Sequence, residues 1–150
     1  MSETAIRAKI KSIMDTVTDI GKVHDYERWT ADWSQFLNLF KANIGGKDQI
    51  RGWEILRKSA PAEYIDNVEE MTKHLFIVRG YMGVQDASAT EKTFNVLIEA
   101  VRAKFRFNFT LDGLCELAGP VSVDLVEVRS FGGTLCHYCE LSLPAQELFT

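Results

Sequence analysis

The sequence predicts an α+β fold, a mostly antiparallel sheet packed by two main helices, in the order α-β-(α)-β-β-α-β-β. Two stretches, one at the N-terminus and one over 88–107, carry apolar residues at helical spacing. Around them lie runs with the two-residue alternation of strands. The last two such runs meet at Gly132-Gly133, which reads as a hairpin.

Ile6, Ile10, Ile13, Met14 and Val17 fall on one face of a first helix, with Ser2 as its N-cap and Thr18-Asp19-Ile20-Gly21 as its stop. Lys22 to Arg28 is short, bounded by turn residues, and reads as a strand. Trp29, Trp33, Phe36, Leu37 and Phe40 then recur at helical spacing, predicting a shorter helix over 31–42 with Thr30 as cap. Asn43 to Asp48 reads as a loop, and Gln49 to Lys58 as a strand ended by Ala60-Pro61-Ala62.

Lys73 to Met82 sets Phe76 and Val78 on one face and Leu75, Ile77 and Tyr81 on the other. Apolar residues on both faces imply a central strand, covered by helices on one side and by a loop or partner subunit on the other. Ser88-Ala89-Thr90-Glu91 has the form of a capping box for the 88–107 helix, whose stripe is Phe94, Leu97, Ile98, Val101 and Phe105. Phe107, Phe109 and Leu111 alternate as an extended segment. In the final hairpin, Pro120–Ser130 faces Thr134–Leu143, with Leu135, His137, Cys139, Leu141 and Leu143 on one face and Cys136, Tyr138, Glu140 and Ser142 on the other.

A chain of 150 residues buries roughly 68–70% of its unfolded surface, enough for one core, so one domain over 1–150 is expected. Seventeen basic against 21 acidic residues argues against nucleic-acid binding as the main activity, which needs excess Lys and Arg. No apolar run approaches the ~18 residues of a membrane span. The charged, amphipathic start Met1-Ser2-Glu3-Thr4 is unlike a signal peptide, and three cysteines suit a reducing compartment.

Candidate chemistry is sparse. Cys136-His137-Tyr138-Cys139 has C-x-x-C spacing, but residues three apart on a strand face opposite ways, so the thiols diverge. His24-Asp25-Tyr26-Glu27-Arg28 is rich in titratable groups that a strand would split between faces, as an edge strand with paired charges does. Gly45-Gly46-Lys47 fails the phosphate-loop pattern, since Lys41 stands at the first glycine position and Asp48 replaces Ser or Thr. Asp66, Glu69 and Glu70 read as a solvated loop or the start of a helix. No catalytic, cofactor-binding or metal-ligating set emerges, so a non-enzyme is expected. Trp29, Trp33, Phe36, Phe40 and Tyr81 are the candidate subunit-interface residues, because aromatic side chains concentrate at interface hot spots. The same residues also suit a helix packed on the domain's own core.

The run Ile20 to Trp29, following an amphipathic helix, resembles small tail-region proteins of bacteriophages and prophages. So do Arg79-Gly80-Tyr81 at the end of a hydrophobic strand, the Asp86 to Arg106 helix, Asn108 to Gly113, and the Phe131-Gly132-Gly133 hairpin. Their order is similar to the lambda-type tail terminator, or tail-completion, family. The 29–42 aromatic segment departs from that pattern. The resemblance implies a virion structural protein, assembled in the bacterial host cytoplasm, that forms a homo-oligomeric, hexameric ring. The ring caps the tail tube, stops its polymerisation and offers a surface to the head-completion or neck protein. It also implies no cofactor, no membrane and no sequence-specific nucleic acid. Six copies at −4 would carry about −24, of like sign to the DNA passing through the lumen. The competing reading is a small-ligand-binding or hydrolytic domain with a pocket between the 88–107 helix and the sheet.

Overall fold

Every residue of the strand Glu70–Gly83 pairs with a residue of Cys136–Phe149, an antiparallel ladder that forms the spine of the molecule. The computed structural model describes residues 2–150. In chain order the elements are α1 (Glu3–Met14), β1 (Lys22–His24), a 3₁₀ helix (Trp33–Phe40), β2 (Lys41–Ile44), β3 (Lys47–Ser59), β4 (Ala62–Tyr64), β5 (Glu70–Gly83), α2 (Thr90–Phe105), β6 (Leu117–Ala118), β7 (Ser122–Phe131) and β8 (Thr134–Phe149). The architecture is α+β with a mostly antiparallel, curled sheet, as expected. Its path runs β1-β3-β5-β8-β6, with β2 beside β3, β4 beside β5 and β7 beside β8. The three short strands β2, β4 and β6 add to the expected order, and β1 pairs parallel to β3.

β5 is central and buried on both faces. On the helix side Phe76, Val78 and Met82 meet Ile6, Ile10 and Met14 of α1 and Phe94, Leu97, Ile98, Val101 and Phe105 of α2. The stripe read from the sequence is therefore the buried face of α2. On the other side Tyr81 joins Phe36, Leu37, Phe40, Phe131, Cys136 and Tyr138. The second cover is the chain's own 3₁₀ helix, which rests against Gly132 of the β7–β8 turn. Cys136 lies in one cluster and Cys139 in the other, so the two thiols diverge as strand geometry requires.

Two glycines make room for the two largest aromatic anchors. A Cβ on Gly80 would overlap the ring of Trp53 and sit 2.8 Å from the Cys139 sulfur; one on Gly52 would sit 2.7 Å from Phe40 Cβ. Trp53 thus lies across β5 on the helix side, stacked on Phe94 at 5.8 Å, while its Nε1 donates to the Ile20 carbonyl at 2.8 Å. Phe40 lies over β3 on the opposite face.

Several local expectations are corrected. Asn43–Asp48 is not a loop but the turn of the β2–β3 hairpin. Gly45 (φ 63) and Gly46 (φ 83) supply the left-handed pair that a two-residue turn needs, and Asn43 Nδ2 donates to Asp48 Oδ1 across it at 3.1 Å. The helix expected over 31–42 is a 3₁₀ helix capped by Asp32, not Thr30, whose Oδ1 accepts from the Ser34 amide. Three-residue turns eclipse positions i and i+3, so Trp33 stacks on Phe36 at 4.8 Å. Ser88 is no N-cap. It belongs to a short 3₁₀ turn, Ala89 holds a left-handed φ of 53°, and α2 starts at Thr90. Thr90 Oγ1 accepts from the Gln85 amide at 2.9 Å and meets His137 Nε2 at 2.8 Å, so β8 fixes that start in place of a local box.

Phe107 to Leu111 is coiled, not extended. Phe107 (φ 64), Leu111 (φ 48) and Asp112 (φ 60) are left-handed, and the Thr110 carbonyl accepts from the amides of Gly113, Leu114 and Cys115. Leu111 is buried while Phe107 and Phe109 are exposed. The strand expected over 22–28 ends at His24.

The seat beneath Trp53 yields a direct test. Gly80→Ala forces the indole out of place at the centre of the sheet, and overpacking of this kind costs about 1–3 kcal/mol. Urea unfolding of the variant should show that loss as a lower midpoint with an unchanged slope.

Candidate functional site

Three strands each contribute one charge to a single row. The register sets Glu54 of β3 beside Arg79 of β5, and Arg79 beside Glu140 of β8. Their strand neighbours Trp53, Ile55, Val78, Cys139 and Leu141 belong to the helix-side cluster, so alternation turns all three charges to the opposite face. The adjacent row carries Tyr81 and Tyr138.

Glu54 is only 1% exposed, yet both its oxygens are used. Oε2 accepts from the Arg28 amide at 2.9 Å and Oε1 from the Tyr81 hydroxyl at 2.9 Å, with the Arg79 guanidinium 3.5 Å away. Burial pushes its carboxyl above the ordinary range, while these three neighbours pull it back. Burial and the facing glutamates also push up the Tyr81 and Tyr138 phenols, so both remain donors. Tyr138 donates to Glu140 Oε2 at 2.6 Å, and the Arg129 guanidinium lies 4.3 Å from the Tyr138 ring centroid.

The segment after β1 folds over this row as a rim. Arg79 donates to Glu27 at 2.8 Å, and Arg28 donates to His24 Nδ1 at 3.0 Å while lying over the Tyr26 ring. With Nδ1 accepting, His24 Nε2 carries the proton and donates to the Leu39 carbonyl at 2.7 Å. The titratable cluster 24–28 is therefore not an alternating edge strand. Only His24 lies in β1, and residues 25–28 form a loop; together they latch the 3₁₀ helix and the sheet.

Between rim and sheet lies a cleft of about 240 Å³, lined by Trp29, Trp33, Glu54, Arg79, Tyr81 and Glu140, with Arg28, Phe36, Arg129, Phe131 and Tyr138 completing it. Most of its polar groups already satisfy one another. The indoles of Trp29 and Trp33 face solvent, and Arg28 has no carboxylate partner among the described residues. Chemically this suits holding a planar or anionic group.

The five expected interface residues are divided by the fold. Trp29 is 71% exposed and Trp33 half-exposed, both on the cleft wall. Phe36, Phe40 and Tyr81 are buried in the chain's own second cluster, where Tyr81 lies 4.4 Å from Phe40 and 5.6 Å from Phe36 between ring centroids. Within the single chain these three rings pack on one another, and the two tryptophans are the exposed members of the five. Glu54, Arg79 and Arg129 escaped sequence reasoning as site residues, because they stand on three different strands and only the register brings them to Tyr138 and Glu140 of β8.

The pocket expected between α2 and the sheet is filled by buried side chains. A separate cleft of about 390 Å³ reaches α2 only at Thr90. Among the described residues no group of three or more His, Cys, Asp or Glu is placed to hold a metal ion, and no helix is long and apolar enough to cross a membrane. No protein-family model matches the chain, and no curated protein matches it in sequence.

Two predictions follow from this geometry. Phe36→Ala should cost about 3–5 kcal/mol as a buried aromatic lost from the second cluster, whereas Trp29→Ala should stay within about 0.5 kcal/mol, both read by chemical denaturation. The second concerns pH. Burial holds His24 below its ordinary value of 6.5, aided by Arg28, Lys22 and Lys11 and opposed by the Leu39 carbonyl. The unfolded imidazole binds its proton first, so stability present above pH 6.5 is lost as pH falls through the lower folded value. Glu54 works in the opposite sense, since protonation relieves its burial. Thermal unfolding from pH 7 to 5 should therefore show a shallower fall for His24→Gln than for the wild type.

Proposed function

We propose that this chain is a structural protein of a bacteriophage or prophage tail, a tail terminator or tail-completion protein. It acts without cofactor or catalysis and caps the tail tube as a homo-oligomeric ring of six. The observation that carries the reading is large apolar surface left over after both clusters are closed. Trp29 is 71%, Tyr64 82% and Phe107 79% exposed, at three separate places. Aromatic residues are enriched at the centres of protein interfaces, and exposed ones at separate places suit a chain with several contact faces. The resemblance in element order supports the same conclusion. A closed ring covers heterologous surfaces that would otherwise propagate as filaments.

In this reading the tryptophan cleft faces a neighbour in the tail, either the tube protein or the head-completion protein. A second reading is a small-ligand site in the same cleft, favoured by Arg28 standing without a carboxylate partner beside two exposed indoles. An anionic ligand that quenches tryptophan fluorescence and raises the unfolding temperature would select it.

Native mass measurement with particle imaging, on the protein alone and with added tail tubes, tests the first reading. The expected result is a closed ring, or binding confined to one end of the tube. A persistent monomer that ignores tubes overturns it.

A further inference from the structure

The lower half of the sheet ends in two exposed apolar features of opposite charge. One is the tip joining β4 to β5. Tyr64, Ile65 and Val68 are exposed there among Glu63, Asp66 and Glu69, and Glu63 pairs with Lys73 at 3.7 Å. The tip has a fixed shape. Asp66 Oδ1 accepts from the amides of Val68 and Glu69 at 2.8 Å each, and the Ile65 amide donates to the Glu69 carbonyl.

The other feature is the knuckle after α2. Phe107 and Phe109 meet edge-on with ring centroids 6.2 Å apart, both exposed, beside the exposed Lys104 and Arg106. Neither cation has an ion-pair partner among the described residues, while the nearby Asp112 is taken up by Lys9 at 3.5 Å. Phe107 also holds a left-handed φ of 64°, a conformation that a bulky side chain rarely adopts.

Strand order separates these features across the sheet. Across this half of the sheet the strands run β4-β5-β8-β6, so Tyr64 stands on one outer strand with the acidic tip at the strand ends beside it, and the knuckle is tied to the other outer strand, β6, by the Ala118 amide donating to the Phe109 carbonyl. The outer strands are separated by about 14 Å, three strand spacings. The tip and the knuckle of one chain therefore lie on different strands, with β5 and β8 between them.

We propose that the acidic tip of one copy docks on the basic aromatic knuckle of the next, Tyr64, Ile65 and Val68 against Phe107 and Phe109, with Glu63 and Glu69 facing Lys104 and Arg106. The occupant is a second copy, because both halves of the contact belong to this chain and match in charge and apolar character. The contact is heterologous, tip against knuckle, and head-to-tail docking repeats it from copy to copy. This contact rests on the ring assembly proposed above and supplies its joint.

The test compares the wild type with two doubly reversed variants, Lys104→Glu with Arg106→Glu, and Glu63→Lys with Glu69→Lys, by native mass at matched concentration. Each variant alone should associate at least about tenfold more weakly, and mixing the two should restore association by alternation in an even-membered ring. Phe107→Gly separates assembly from folding, since it relieves the left-handed strain: its unfolding temperature should hold or rise while association falls. Wild-type rings together with unaffected reversed variants overturn the edge contact and leave the ring standing. A wild type that never associates, with or without tubes, overturns both.

Discussion

Two missing side chains govern how this sheet is covered. Gly80 leaves the gap in β5 that Trp53 fills from one face, and Gly52 leaves the gap in β3 that Phe40 fills from the other. The register places them side by side, Gly52 opposite Tyr81 and Trp53 opposite Gly80. Each aromatic residue brings a separate layer with it. Trp53 draws in the Ile20 carbonyl and Phe94, and so the loop after α1 and the helix α2. Phe40 draws in the 3₁₀ helix, and through Phe36 and Phe131 the tip of the last hairpin. A sheet of this size would otherwise keep one face wet. Here the loss of two Cβ atoms lets both faces close within one chain.

That closure sorts the aromatic residues into two populations. Those within the clusters are consumed by folding: Phe36, Phe40, Tyr81 and Phe131 pack together in one, and Trp53 stacks on Phe94 in the other. Those left outside do not form one continuous patch. They stand at the cleft rim, at the β4–β5 tip and after α2. Acidic residues accompany the tip and unpaired basic ones the region after α2. Such a periphery suits a protein that meets several different neighbours by different surfaces, and does little for one that only needs to remain folded.

Long-period signals were legible in the sequence. The stripe of α2, the face of α1, the two-sided β5 and the Gly-Gly hairpin each rest on many residues agreeing, and tertiary context left them intact. Signals resting on one or two residues failed. Ser88 and Glu91 have the form of a cap, but Thr90 bonding to Gln85 and His137 outweighs it. Phe107, Phe109 and Leu111 alternate like a strand, yet turns gathered on the Thr110 carbonyl coil them. Asn43 to Asp48 has loop composition because a two-residue hairpin turn uses the same residues. The row Glu54–Arg79–Glu140 was illegible for a different reason. It exists only between strands, and no single stretch of sequence holds more than one of its members.

The divergence of Cys136 and Cys139 has a practical side. Three residues apart on one strand, the two thiols sit in different compartments, Cys136 among the aromatic residues beneath the 3₁₀ helix and Cys139 behind Trp53. Burial pushes both up, Cys136 to about 11, so neither is a ready nucleophile while its compartment is shut. A thiol reagent reaches Cys136 when the 3₁₀ strap lifts and Cys139 when the helical layer parts. The chain therefore carries its own pair of clocks, one for each face of the sheet, and their alkylation rates report which layer opens first.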